Sequence, residues 1–274
     1  MRRQSKKIIM YTILILLAFI GLFPFWIMII NSTRSTQQIN MGFSLLPGSS
    51  IINNFHEMQA RNNVLRSFGN SLYISLLSTA LTCYFSAMTA HALVSYKMKG
   101  KGIIFGAILV IMMLPSQLNL IGYHKFMKDL GLLNSHLPLI LSSISSAISV
   151  FFIKQYAETA LSSSMIEAAR IDGAGEFAIF NRIALPVLSP AIFTMGINAF
   201  VTSWNSFLLP MTLLSTENKF TMPIIIRRMV QDTQNPTLGG TYLAIAISMI
   251  PIIVVFAFFQ RYIIDGVGAG GEKE

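Results

Sequence analysis

Glu167-Ala168-Ala169-Arg170-Ile171-Asp172-Gly173-Ala174-Gly175-Glu176, continuing through Phe180 and Ile183 to Leu185-Pro186, is a polar stretch set between two long apolar segments. Crossing a bilayer requires no such insert, so it reads as a docking element for a partner on one side of a membrane. Ser164-Met165-Ile166-Glu167 has the form of a capping box: the serine hydroxyl accepts from the Glu167 backbone N–H, and the glutamate reaches back to the serine N–H. A helix begun there sets Glu167 against Arg170 and Ile171 and leaves a slim side at Ala168 and Ala169. Gly173 and Gly175 end it, because glycine enters left-handed backbone at little cost. A second helical pattern puts Phe177, Phe180, Ile183 and Ala184 on one face, with Glu176, Asn181 and Arg182 on the other. Geometry alone leaves two readings open: a docking helix–turn–helix, or an ordinary loop in which Glu167 is only a cap.

The chain around this insert is greasy. It is 53% hydrophobic and 11% charged, with a mean hydropathy of +0.62, whereas a soluble domain carries about a quarter charged residues. The net charge of +9 does not form a basic stripe interleaved with aromatics; the cations gather at the ends of apolar runs, which excludes a nucleic-acid partner and fits a protein oriented in lipid. The single cysteine, Cys83, lies in an apolar run and reads as a small buried hydrophobe.

Reading outward gives an all-α integral membrane protein with six transmembrane helices, at about 8–30, 72–96, 103–120, 137–153, 183–207 and 242–264. Residues 1–7 precede this domain of 8–264, residues 154–182 form its polar loop, and 265–274 are a short glycine-rich tail. The first run is too long for a signal segment and lacks a small-residue cleavage site, so it is expected to be retained, with Pro24 a candidate kink. Residues 31–70 read as polar and irregular, with Phe43, Leu45 and Leu46 tucked inward. The second span, rich in Ser and Thr and holding His91, is expected to pack against protein rather than lipid. Leu114-Pro115 interrupts the third, and the fourth is rich in serine. With the N-terminus cytoplasmic, twelve Lys and Arg fall inside and eight outside, so the positive-inside rule places both termini and the 154–182 loop in the cytoplasm.

The loop's spacing is specific. Glu167-Ala168-Ala169, Gly173 and Ile183-Ala184-Leu185-Pro186 resemble the cytoplasmic "EAA" loop of ABC-importer permeases. Asp172-Gly173-Ala174, Trp204-Asn205-Ser206-Phe207-Leu208-Leu209-Pro210, Asn70-Ser71-Leu72 and Gly266-Val267-Gly268-Ala269-Gly270-Gly271 are similar to the carbohydrate-uptake, maltose-type branch, and the match covers nearly the whole chain. Leu161-Ser162-Ser163-Ser164 departs from the Ile-Pro-x-Glu often found before the motif, and Gly122 stands where a proline is frequent. The resemblance implies a cell-membrane subunit of a prokaryotic importer that works with a second homologous permease subunit, two ATP-binding ATPase subunits and an extracytoplasmic sugar-binding protein. It implies that Glu167, Ala168, Ala169, Asp172, Gly173 and Ala174 couple to an ATPase, supported by Ser164, Arg170, Phe180, Ile183, Leu185 and Pro186. It also implies that the glycine-rich tail approaches the ATPase interface, that 208–240 meets the binding protein, and that the cargo is a sugar.

The residues themselves add exclusions. No phosphate-cradling Gly-x-x-x-x-Gly-Lys-Ser/Thr occurs, the four histidines lack metal-ligand spacing, and no nucleophile elbow is present, so no catalytic residue, cofactor or metal is expected. The spans hold almost no ionisable side chains, which disfavours an ion-coupled carrier; a non-transporting membrane scaffold is the other rival. A sugar path needs hydrogen-bonding groups and flat apolar faces, and Gln117, Asn119, Asn198, Trp204 and Asn205 are the candidates. For each the alternative is helix packing or interfacial anchoring, and for Trp204 the aromatic belt is the first reading. Gly102-x-x-x-Gly106 is a candidate for close helix contact.

Overall fold

The computed structural model describes residues 2–144 and 146–271, with side chains described except at 2–5, 116 and 260–271. Among the described residues all regular structure is helical, which satisfies the backbone of an apolar chain from within. The chain forms two compact units, Met1–Phe68 with Met222–Ile250 and Gly69–Thr221 with Pro251–Glu274.

Helix α1 (Arg2–Ser32) carries Pro24 without a break and exposes apolar side chains all round, as a lipid-facing helix does. The segment read as irregular is largely helical: α2 (Thr36–Asn40) and α3 (Ile51–Asn62) occupy it, and α4 (Val64–Ser95) begins before Leu72. Local chemistry overrode polarity there. Ser35 and Gln38 form a capping box over α2, at 3.2 and 3.0 Å, and Asn63 closes α3 in a left-handed conformation. Phe43, Leu45 and Leu46 are exposed rather than tucked.

Helix α5 (Lys101–Met113) ends sooner than the expected span 103–120. Leu114 precedes a proline and takes an extended conformation, and a 3-10 turn at Ser116–Leu118 leads into α6 (Asn119–Asp129). In place of one span at 137–153 stand α7 (Leu137–Leu141) and α8 (Ala147–Ala160). Serines after Leu141 break the helix, and Ser146 caps α8 by accepting from the Ser149 N–H at 3.3 Å. Helix α8 runs beyond residue 153, so Lys154 belongs to it; that buried ammonium pairs with Glu158 at 2.7 Å and lies 4.1 Å from the Phe105 ring centre.

The polar insert folds into α9 (Ser163–Ile171) and α10 (Glu176–Ile179), a π-helical turn over Phe180–Ala184, and α11 (Leu185–Val187). The path then bends by 79° into α12 (Ser189–Trp204). Helices α13 (Leu208–Leu213) and α14 (Met222–Gln231) fill the second polar loop. Helix α15 (Leu238–Gly271) holds Pro251 without a break and takes in 265–271 of the expected tail; 272–274 lie outside the described residues. Lys6–Ser32, Val64–Ser95 and Leu238–Phe259 are each long and apolar enough to cross a bilayer, Glu176–Val187 with Ser189–Trp204 qualifies as a bent fourth, and Lys101–Met113 is apolar but shorter.

In the first unit a polar lattice closes the end of α1. The buried Arg34 guanidinium donates to Asn31 Oδ1 at 3.2 Å and to the carbonyls of Gln38 and Gly42. Asn54 donates to the carbonyls of Ser32 and Arg34 at 2.8 and 2.9 Å. Gly239 reaches this lattice because it has no side chain: a Cβ there would lie 2.5 Å from Asn54 Oδ1.

Candidate coupling element and cavity

The helix–turn–helix read from the sequence is built, with its parts reassigned. Ser162, not Ser164, caps α9. Extended backbone falls at Ser162, whose hydroxyl accepts from the Met165 N–H at 3.3 Å, while Ser164 donates to that hydroxyl at 3.2 Å. The capping box read at Ser164 and Glu167 does not form, and Glu167 is an exposed residue within the helix. Gly173 takes φ +81°; its N–H donates to the Arg170 carbonyl at 3.1 Å and the Ala174 N–H to the Ala169 carbonyl at 3.0 Å. Gly175 does not share that role: at φ −69° it occupies the extended cap position of α10.

Arg170 faces Glu176 rather than Glu167. Its Nε and Nη2 donate to the two carboxylate oxygens at 2.8 and 3.2 Å, and the Tyr96 hydroxyl donates to Glu176 Oε2 at 2.6 Å. The Arg170 guanidinium carbon also lies 5.5 Å from the Tyr96 ring centre. Hydrogen bonds from Arg170 and then Tyr96 hold the Glu176 carboxyl below its ordinary range, and the bond to Glu176 raises Arg170. A cleft of about 720 Å³ borders this cluster, lined by Lys97, Lys101, Ser162 and Glu167 among others.

The two faces of the element divide cleanly. Ile166, Ala169 and Ile179 form a small core with Ala174 and Ile183 packed on it. Glu167, Ala168 and Asp172 are exposed, as are Ile171 at 86% and Phe177 at 72%. Phe177 thus points away from the face predicted for it, and Ile179 takes its place. Phe180 and Ala184 enter a larger core with Ala87 and Ala90 of α4 and Ile153 and Ala157 of α8; Leu185 packs against it, and Pro186 stays exposed. The Phe180 ring meets Tyr84 edge-on at 5.4 Å and His91 at 5.7 Å, and the Tyr84 hydroxyl donates to Asn181 at 3.2 Å. Beyond the bend, α12 settles on α4 where Cys83 Sγ donates to the Ile192 carbonyl at 3.6 Å, and Gly196 leaves room for that sulfur.

Helix α12 also lines a cavity. One lobe, of about 670 Å³, is bounded by Asn119, Ser142, Ser146, Asn198, Thr202 and Thr221 among others. A second lobe, of about 1070 Å³, shares Asn119, Ser142 and Thr202 and adds Gln117 and Asn205. Four of the five sequence candidates thus come together. Trp204 does not: it is 2% exposed and stacks on Phe200 at 5.9 Å. A Cβ at Gly102 or Gly106 would meet no neighbouring element within 4 Å among the described residues, and α5 instead meets α8 through Phe105 stacked on Phe151 at 6.1 Å. Sequence reading missed the hydroxyl lining at Ser142, Ser146 and Thr202, although the serine density of the fourth segment was its signal, and it missed Tyr84 and Tyr96, which nothing local marks.

Known proteins share these features. The family model for the binding-protein-dependent transport system inner membrane component matches residues 82–268, which hold α9 to α12 and most of the residues lining the cavity. The arabinooligosaccharides transport system permease protein AraQ of Halalkalibacterium halodurans is 34% identical over the full length of both chains. The lactose transport system permease protein LacG of Rhizobium radiobacter is 29% identical over 97% of this chain and 96% of its own. In fold, the chain is similar to a subunit of a bacterial ABC transporter involved in the import of the acidic polysaccharide alginate, at a TM-score of 0.83 and 22% identity over 94% of this chain and 96% of that one. Full-length relatives and a family match over most of the chain agree, and this chain belongs to the inner-membrane permease components of binding-protein-dependent transport systems.

Proposed function

We propose that this chain is one of two homologous permease subunits of an ATP-driven sugar importer, with six spans, both termini and the 154–182 loop on the cytoplasmic side of a prokaryotic cell membrane. Two ATPase subunits supply the energy, and an extracytoplasmic binding protein delivers the sugar. The observation that carries this reading is the continuity between the exposed face of α9–α10 and the cavity. Phe180 ties the element to α4, and the chain then bends once into α12, where Asn198 and Thr202 border the cavity. A partner that seats on Glu167, Ala168, Ile171 and Phe177 gains leverage on those cavity walls. ATP-driven closure of the ATPases then shifts the permease between inward-open and outward-open states by their differential affinity for the two. The sugar-transporting relatives support the cargo class, and a cavity lined without Asp, Glu, Lys, Arg or His among the described residues supports energy arriving from outside the membrane.

The test is uptake by the reconstituted importer. Glu167→Ala and Gly173→Val are expected to lower sugar uptake and binding-protein-stimulated ATP hydrolysis about tenfold or more through loss of docking, while membrane insertion stays normal. Unchanged uptake in both variants, or uptake by the permeases without ATPases, would defeat the reading.

A further inference from the structure

We propose that the cavity accepts uncharged saccharides and discriminates against acidic ones at the permease itself, an inference that rests on the sugar-importer reading. Among the described residues lining its two lobes there is no Asp, Glu, Lys, Arg or His. The polar lining consists of Ser and Thr hydroxyls with Asn and Gln amides, each able to donate and to accept, as sugar hydroxyls do. Thr221 is the sharpest case. It borders the cavity, is 4% exposed, and its Oγ1 is buried with no hydrogen-bond partner among the described residues, so a turn of its side chain would offer an unsatisfied hydroxyl to a ligand. Tyr123, Phe126 and Phe207 supply aromatic surface in the wider lobe for the C–H faces of a sugar ring.

A carboxylate or phosphate entering this space sheds water and meets no cation from this chain. Hydroxyls and amides compensate a neutral ligand fully and a charge only in part. The architecture imposes no such preference, since a transporter of the same fold imports an acidic polysaccharide. The preference therefore resides in the side chains of this particular cavity.

The experiment uses proteoliposomes carrying the complete importer and its binding protein. Oligosaccharide alditols are compared with aldonates of equal chain length, which differ in one terminal carbon, a hydroxymethyl against a carboxylate. Both are supplied at concentrations that saturate the binding protein, as verified by calorimetry. ATP-dependent uptake of the alditol is expected to exceed that of the aldonate by about tenfold or more. Asn198→Lys, which puts an ammonium into the cavity, narrows that ratio, Thr202→Lys does the same from the next turn of α12, and Asn198→Gln leaves it in place. Equal uptake of the two sugars by the unaltered importer overturns the proposal but leaves the sugar reading intact, as does an unchanged ratio in both lysine variants. Uptake of neither sugar, with ATP hydrolysis still stimulated by the binding protein, removes the sugar reading and this proposal with it.

Discussion

The carboxylate of Glu176 sits on an exposed helix start yet takes three hydrogen bonds, two from Arg170 and one from Tyr96. Its depressed pKa fixes the sign of a pH effect: the contact is complete above the ordinary carboxylate range and is lost as pH falls through the lower, folded value. Carboxyl-labelled NMR titration in nanodiscs is expected to place Glu176 below an ordinary glutamate, and Arg170→Met to return it toward that range; an identical titration in the variant would refute the assignment. Residue roles of this kind were only half legible. Gly173 was readable because its left-handed angle admits few side chains. The cap was misplaced by two positions because Ser162, Ser163 and Ser164 offer the same hydroxyl, and only the backbone turn decides which one points at the helix. Arg170 was paired with its helical neighbour Glu167, whereas the turn at Gly173 carries Glu176 back within reach.

Among the elements, α9 and α10 matter through what holds them. Phe180 is 3% exposed in a core shared with α4 and α8, so Phe180→Ala removes buried surface and leaves a cavity, at about 3–5 kcal/mol. Thermal unfolding in detergent should show that loss. Phe180→Leu, which keeps most of the volume, is expected to restore stability while uptake stays below that of the unaltered protein, because the edge-on contact with Tyr84 is gone. Full uptake in the leucine variant would reduce the ring to a filler. Helix boundaries followed from short-range rules where a proline imposed them, as at Leu114. They were missed where a hydroxyl competed with the helical backbone, as at Ser146, since an apolar average hides one well-placed cap. The α2–α3 region was missed for the opposite reason: its polar side chains bond to one another and to backbone, so low hydropathy did not mean irregular structure.

For the whole molecule, alternating access predicts that one set of side chains changes its exposure with nucleotide state. In a Cys83→Ala background, Ser146→Cys and Asn198→Cys line the cavity and should react with a membrane-impermeant maleimide in one state of the ATPases and be protected in the other. Trp204→Cys, buried against Phe200, should stay protected in both. Equal labelling of the cavity cysteines in both states would argue for a static passage. The π-helical turn between the two working parts has a consequence of phase. Leu185 donates to the Phe180 carbonyl five residues back, so this turn holds one residue more than an α-helical turn, just where Pro186 lacks the N–H for an ordinary bond. Deleting any one residue of Phe180–Ala184 would restore the common pitch and leave everything downstream at nearly its present azimuth, because the widened turn already absorbs the extra residue. The interval from Gly173 to Pro186 thus holds a reserve of length: a chain one residue shorter at that turn keeps the same side of α12 toward the cavity, whereas a residue deleted within α12 ahead of Asn198 turns Asn198 and Thr202 by about 100°.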